Sequence, residues 1–127
     1  MAKLNFNSIL LSSENPKVLR EFYEKVFGKK PDMDDGSGYF GFLAGKTFLT
    51  IGPHDKVKGK NKNPERLILN FETTEVKGEF ERIKKLGAEV VSEPYKMGDT
   101  GEFWIATFAD PDGNYFQLIT PWDAGKN

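Results

Sequence analysis

A chain of 127 residues has the size of one domain, long enough to bury a real core and too short for two independent ones. Hydrophobic residues make up 38% and charged ones 29%, and 18 Lys and Arg against 19 Asp and Glu leave a formal net charge of −1, which speaks against disorder and against a nucleic-acid partner. With no cysteine, disulfides, thiolate nucleophiles and every cysteine-based zinc or iron–sulfur site are excluded.

The opening Met1-Ala2-Lys3-Leu4-Asn5-Phe6-Asn7 lacks the basic and apolar regions of a signal peptide. No apolar run reaches the roughly 18 residues of a membrane span, so a cytoplasmic protein without a membrane partner is expected. The first ten residues alternate, with Leu4, Phe6, Ser8 and Leu10 on one face, which predicts a strand. Asn15 then offers an N-cap oxygen and Pro16 the first helical position. Val18, Leu19, Phe22, Tyr23, Val26 and Phe27 recur at helical spacing until Gly28 stops the helix. Three short strands follow, near Lys29 to Met33, Gly38 to Leu43 and Lys46 to Ile51, separated by Asp34-Asp35-Gly36 and Ala44-Gly45. Gly52 to Pro64, rich in Gly, Pro, Asn and Lys, reads as a linker or long exposed loop.

Beyond it the order repeats at an offset of roughly sixty residues. Arg66 to Phe71 is a strand, and Val76, Phe80, Ile83 and Leu86 trace a helical stripe ending at Gly87. Ala88 to Glu93, Phe103 to Ala109 and Tyr115 to Ile119 are three more strands. The last two flank Asp110-Pro111-Asp112-Gly113-Asn114, where proline presets φ and glycine accepts a positive one, so a hairpin turn with structural carboxylates is predicted. The expected architecture is α+β: two tandem βαβββ modules, about 1–52 and 65–121 with a linker about 53–64, forming a curved mixed sheet around a cleft within a single domain.

Phe108-Ala109-Asp110-Pro111-Asp112-Gly113-Asn114-Tyr115-Phe116-Gln117-Leu118 resembles the C-terminal motif of the vicinal oxygen chelate superfamily, which includes glyoxalase I, bleomycin-resistance proteins and extradiol dioxygenases. The opening strand and the helix with Phe22-Tyr23 are similar to that family's first unit, so the resemblance covers nearly the whole chain. Metal-dependent members carry inward-facing His or Glu ligands on the first, fourth, fifth and last strands. By the resemblance these positions fall on Ser8, on Leu49 or Thr50, on Ile68 (Leu67 if the register slips by one) and on Gln117. Isoleucine and leucine have no lone pair, and one carboxamide with one hydroxyl is a poor donor set for Zn, Ni, Mn or Fe, so no metal and no cofactor are expected.

Ser8, Asn70 and Gln117 share the ligand-facing parity with Phe6, Arg66 and Tyr115 in that register, and neutral hydrogen-bonding groups among aromatic walls suit a planar or partly apolar organic molecule. The candidate ligand-binding set is Ser8, Phe6, Asn70, Trp104, Tyr115 and Gln117; the same groups also suit a polar core network. Tyr95 to Glu102, a glycine-punctuated segment, reads as an exposed loop or a flap, with Glu102 and Tyr95 as candidate acid and base. His54, the sole histidine, and the Lys56, Lys58, Lys60 and Lys62 alternation read as solvated loop residues. The function expected is metal-independent binding of a small organic ligand by a glyoxalase/bleomycin-resistance-like protein. The alternative is a lyase, isomerase or dioxygenase of the same superfamily with a displaced metal site or a metal-free acid–base pair. The resemblance also implies a homodimer.

Overall fold

The computed structural model describes residues 3–98 and 102–122. The chain divides into two compact units, Met1–Gly59 and Lys60–Asn127. Among the described residues no helix is long and apolar enough to cross a membrane.

Unit one contains β1 (Ser8–Ser12), α1 (Pro16–Phe27), β2 (Met33–Asp34), β3 (Phe40–Ala44) and β4 (Thr47–Gly52) in a four-stranded sheet of order β1-β4-β3-β2. β1 runs parallel to β4, and the other pairs are antiparallel. The entry to α1 differs from expectation. Asn15 is the N-cap residue, but its side chain makes no capping bond. Its backbone sits outside the usual cap conformation, and its own N–H donates instead to the buried Ser13 hydroxyl at 3.0 Å. The Val18 and Leu19 N–H groups close onto the Asn15 carbonyl. Pro16 holds the first helical position, where a missing N–H costs nothing. Gly28 ends the helix in the left-handed conformation, φ 70°, and donates to the Glu24 carbonyl at 2.8 Å. The buried stripe is Leu19, Tyr23 and Val26, while Val18 faces outward. An aromatic chain joins helix to sheet: Phe22 meets Tyr23 edge-on, Tyr23 stacks on Phe27, and Phe27 lies 5.2 Å from Phe42 of β3.

β2 is shorter than the sequence suggests, because side chains take over its ladder. Leu43 of β3 gives its N–H to Asp32 Oδ2 at 2.7 Å, and its carbonyl accepts from Lys29 Nζ at 2.7 Å. Lys29 and Asp32 also pair with each other at 2.7 Å. The hydrogen bond from Lys29, with that from the Leu43 N–H, holds the Asp32 carboxyl below the ordinary carboxylate range.

Unit two repeats the order with β5 (Leu69–Glu72), α2 (Val76–Lys85), β6 (Glu89–Lys96), β7 (Trp104–Ala109) and β8 (Tyr115–Ile119), in a sheet of order β5-β8-β7-β6. β5 is parallel to β8, as β1 is to β4. α2 buries Val76, Phe80 and Ile83, whereas Leu86 is the C-cap and stays exposed. Phe80 stacks on Phe108, Phe108 on Phe116, and Phe116 meets Phe71. β6 runs on to Lys96, further than expected, with two irregularities of register. The second falls between Ser92 and Tyr95, around Pro94, so the residue without an N–H sits where the ladder is already broken. Tyr95 is therefore a strand residue paired with Ile105, and Met97 N–H still reaches the Phe103 carbonyl at 2.7 Å. Of the expected flap, Asp99, Thr100 and Gly101 lie outside the described residues.

The Asp110 to Asn114 turn forms between β7 and β8 as predicted. Asp110 is nearly inaccessible and binds the turn with both carboxylate oxygens, and Gly113 takes φ 80°. The loop before β5 is seated on this turn: Asn61 N–H donates to the Asp112 carbonyl at 2.8 Å and Asn61 Nδ2 to Asn114 Oδ1 at 3.0 Å.

In unit one, a close approach gives Gly52 its meaning. A Cβ there would stand 2.1 Å from the Tyr39 ring, whose hydroxyl donates to the Pro53 carbonyl at 3.3 Å. Gly52→Ala forces the whole ring off its seat and should cost about 1–2 kcal/mol. Urea unfolding in a Gly52→Ala, Tyr39→Ala cycle checks this: most of the cost should vanish in the Tyr39→Ala background.

Candidate functional site

Pairing registers decide which side chains share a face, because successive strand residues point to opposite sides. In unit one, Leu11, Phe40, Phe42, Leu49 and Ile51 are buried on the side where Phe42 meets Phe27 of α1. Ser8 is aligned with Phe48, and Leu10 with Thr50, so these four occupy the opposite, open face. The choice between Leu49 and Thr50 is thereby resolved in favour of Thr50. The hydroxyl protons of Ser8 and Thr50 are committed: Ser8 Oγ donates to Asn7 Oδ1 at 2.9 Å and Thr50 Oγ1 to the Ile9 carbonyl at 3.0 Å. Their oxygens remain as acceptors. Phe6, expected on the strand, precedes β1 and is 78% exposed.

In unit two, Phe108 and Phe116 face α2 through Phe80. Asn70 is aligned with Gln117, and Gln117 with Thr107, so these three form a polar row on the other face, with Ser92 aligned to Thr107 at its end. Gln117 Nε2 donates to Thr107 Oγ1 at 3.1 Å, and Thr107 is 5% exposed. Ile68 and Leu67 both precede β5, which opens at Leu69; Ile68 is half-buried and Leu67 exposed. Tyr115, half-buried, lies two residues before Gln117 on the same side.

Two candidates separate from this row. Trp104 has the parity of Ala106 and Phe108, and Lys77 of α2 places its ammonium 3.8 Å above the indole, so Trp104 belongs to the helix side. Its Nε1–H donates to Glu102 Oε2 at 3.3 Å, which directs that carboxylate to the same side. Tyr95, paired with Ile105, stands on the other. The structure thus does not bring Glu102 and Tyr95 together as an acid–base pair. What hid this was the length of β6, since a residue read as loop carries no parity. His54 is an exposed loop residue whose Nδ1 accepts the Lys56 N–H at 3.1 Å.

Unit one also holds a cleft of about 370 Å³, lined mainly by Glu14, Pro16, Lys17, Val18, Phe40 and Pro53. It lies at the start of α1, beside a residue of the helix-covered face, and contains none of the sequence-predicted site residues. The sequence carries no signal for it beyond the two prolines.

A family model described as a glyoxalase-like domain matches residues 8–119, which is most of the chain and spans every element from β1 to β8. The chain belongs to the glyoxalase-like domain family. Solved structures agree on the fold. A glyoxalase/bleomycin resistance protein/dioxygenase family enzyme from Burkholderia phytofirmans PsJN is 19% identical, with TM-score 0.72 over 92% of this chain and 98% of that one. A glyoxalase-related enzyme from Fulvimarina pelagi is 16% identical, with TM-score 0.70 over 91% and 87%. A protein of the mobile metagenome of V. Pseudocholerae is 25% identical, with TM-score 0.71 over 95% and 97%. No curated protein matches significantly.

Metal-dependent members of the wider superfamily carry nitrogen or carboxylate donors at four positions, which by the resemblance fall on Ser8, Thr50, Ile68 and Gln117. These residues do not fit a divalent transition metal. Ile68 offers no lone pair, Ser8 and Thr50 offer neutral hydroxyls with committed protons, and Gln117 offers one amide oxygen. Among the described residues no group of three or more His, Cys, Asp or Glu side chains is placed to hold a metal ion.

Proposed function

We propose that this glyoxalase-like protein binds a small organic molecule without a metal, using the face of unit two opposite α2. The observation that carries this reading is Gln117, which stands where metal-dependent relatives carry a carboxylate. Its amide is held by the nearly buried Thr107 hydroxyl and faces a second carboxamide, Asn70, on the adjacent strand. A neutral amide fixed in this way recognises hydrogen-bonding groups and binds a metal weakly. Tyr115, half-buried on the same face, supplies contact area for the body of a ligand. The family resemblance favours a homodimer, and a cytoplasmic location fits the same reading. Sequestration or sensing follows from binding alone, and the separation of Glu102 from Tyr95 takes support away from metal-free acid–base turnover.

The test is ligand-observed NMR with small aromatic fragments on protein dialysed against EDTA, with metal content measured in parallel. Fragment binding should survive chelation, and Gln117→Leu should weaken it about tenfold, as expected for a lost hydrogen bond that also strands the Thr107 hydroxyl. Stoichiometric metal that resists dialysis, or binding that returns only when Zn, Ni, Mn or Fe is added, would overturn the reading.

A further inference from the structure

Resting on that reading, we infer that unit two selects a neutral amide edge, a carbonyl beside an N–H as in a lactam, an imide or a cyclic urea, and discriminates against carboxylates and phosphates. Three observations lead there. Asn70 and Gln117 are directly opposite on neighbouring parallel strands, so their carboxamides leave one face about 4.8 Å apart. Gln117 spends one amide hydrogen on Thr107 Oγ1, which leaves one N–H and one carbonyl lone-pair edge for a ligand. Asn70 is exposed and its carboxamide bonds nothing among the described residues, so it adds a second donor and acceptor that can rotate to match.

A carboxamide with one donor and one acceptor in a plane pairs in a two-bond ring with another donor–acceptor edge. Glutamine and asparagine read adenine in DNA by the same geometry. A carboxylate offers acceptors only and would set one against the Gln117 carbonyl. Charge points the same way. The strands of unit two bring no lysine or arginine to this face, since Lys96 pairs with Trp104 and takes its parity, on the helix side. Two carboxylates border the row instead, Glu72 aligned with Ile119 and Glu89 with Ala109. An anion would meet repulsion there with no compensating cation contributed by the strands of unit two. Arg66 precedes β5 in a turn closed by its own N–H on the Asn63 carbonyl.

The experiment titrates the full chain, at pH 7, with two matched sets of probes: 2-pyridone, 2-quinolone and uracil against picolinate, quinoline-2-carboxylate and orotate. It is followed by calorimetry and by the side-chain amide resonances of Asn70 and Gln117. At least one lactam should bind about tenfold or more tightly than its carboxylate partner and shift both amide signals, and N-methylation of that lactam should remove the preference. Gln117→Glu keeps the side chain's shape and removes the donor. It should lose the same factor while its amide spectrum stays dispersed, which separates recognition from misfolding. Carboxylates that bind as well as the lactams, or lactams that bind without moving the Asn70 and Gln117 signals, overturn the inference and leave small-molecule binding standing. Fragments of every class failing to bind overturn both.

Discussion

Asp110→Ala should lower the stability of the protein by about 3 kcal/mol or more, read as a fall in the urea midpoint at unchanged slope. Asp110 is 4% exposed, and its carboxylate supplements the backbone bonds that close the turn. Oδ1 accepts the Asp112 and Asn114 N–H groups, both at 2.9 Å, and Oδ2 accepts Asn114 Nδ2 at 3.0 Å. Alanine strands all three donors, and bonds to an ionised acceptor are about twice as strong as neutral ones. Asp110→Asn should fall between, at about 1–2 kcal/mol, because an amide oxygen can keep the Oδ1 pair while its NH2 opposes that of Asn114. The damage should also travel along the chain. Asn61 binds both the Asp112 carbonyl and Asn114 Oδ1, so amide exchange at Asn61 and Asn63 should quicken in Asp110→Ala before global unfolding. A loss under about 1 kcal/mol would mean that proline and glycine hold the turn without the carboxylate.

Phe108→Ala should be as costly, about 3–5 kcal/mol, by leaving a cavity in the middle of a stack. Phe108 has no solvent exposure. Its ring lies 5.1 Å from Phe80 at 28° and 5.5 Å from Phe116 at 22°. Removing it leaves a gap between Phe80 of α2 and Phe116 of β8, which those rings fill only if their main chains move. Phe108→Leu refills most of the volume and should cost about half as much. Near-ultraviolet circular dichroism and urea unfolding report both. Equal, small losses for the two variants would show that unit two repacks around the site and that the stack is not its centre.

The two predictions differ in how much of their basis could be read beforehand. The turn was legible, because Pro111 and Gly113 have conformational demands set by their own covalent structure. Its structural carboxylate followed from the same reasoning, and the docking of Asn61 onto it did not, since that contact joins residues more than fifty positions apart. Both helices were legible from periodicity, although Val18 and Leu86 proved to be outside the buried stripe. Strand limits were less so: β1 opens at Ser8 and leaves Phe6 exposed, and β6 reaches Lys96 because β7 offers it a partner that no local pattern announces.

The sequence by itself determined the repeated βαβββ order and the absence of thiol chemistry, and the family resemblance implies that Ser8, Ile68 and Gln117 stand where metal-dependent members carry ligands. Composition, periodicity and residue type act locally. Only the tertiary structure decided which residues meet. Pairing across strands aligned Asn70 with Gln117 and Thr107, chose Thr50 over Leu49, and sent Trp104 and Glu102 to the helix side. A strand alternates identically whichever face the helix covers, so facing is settled by packing, where the helix and its aromatic residues bury one side and leave the other for chemistry.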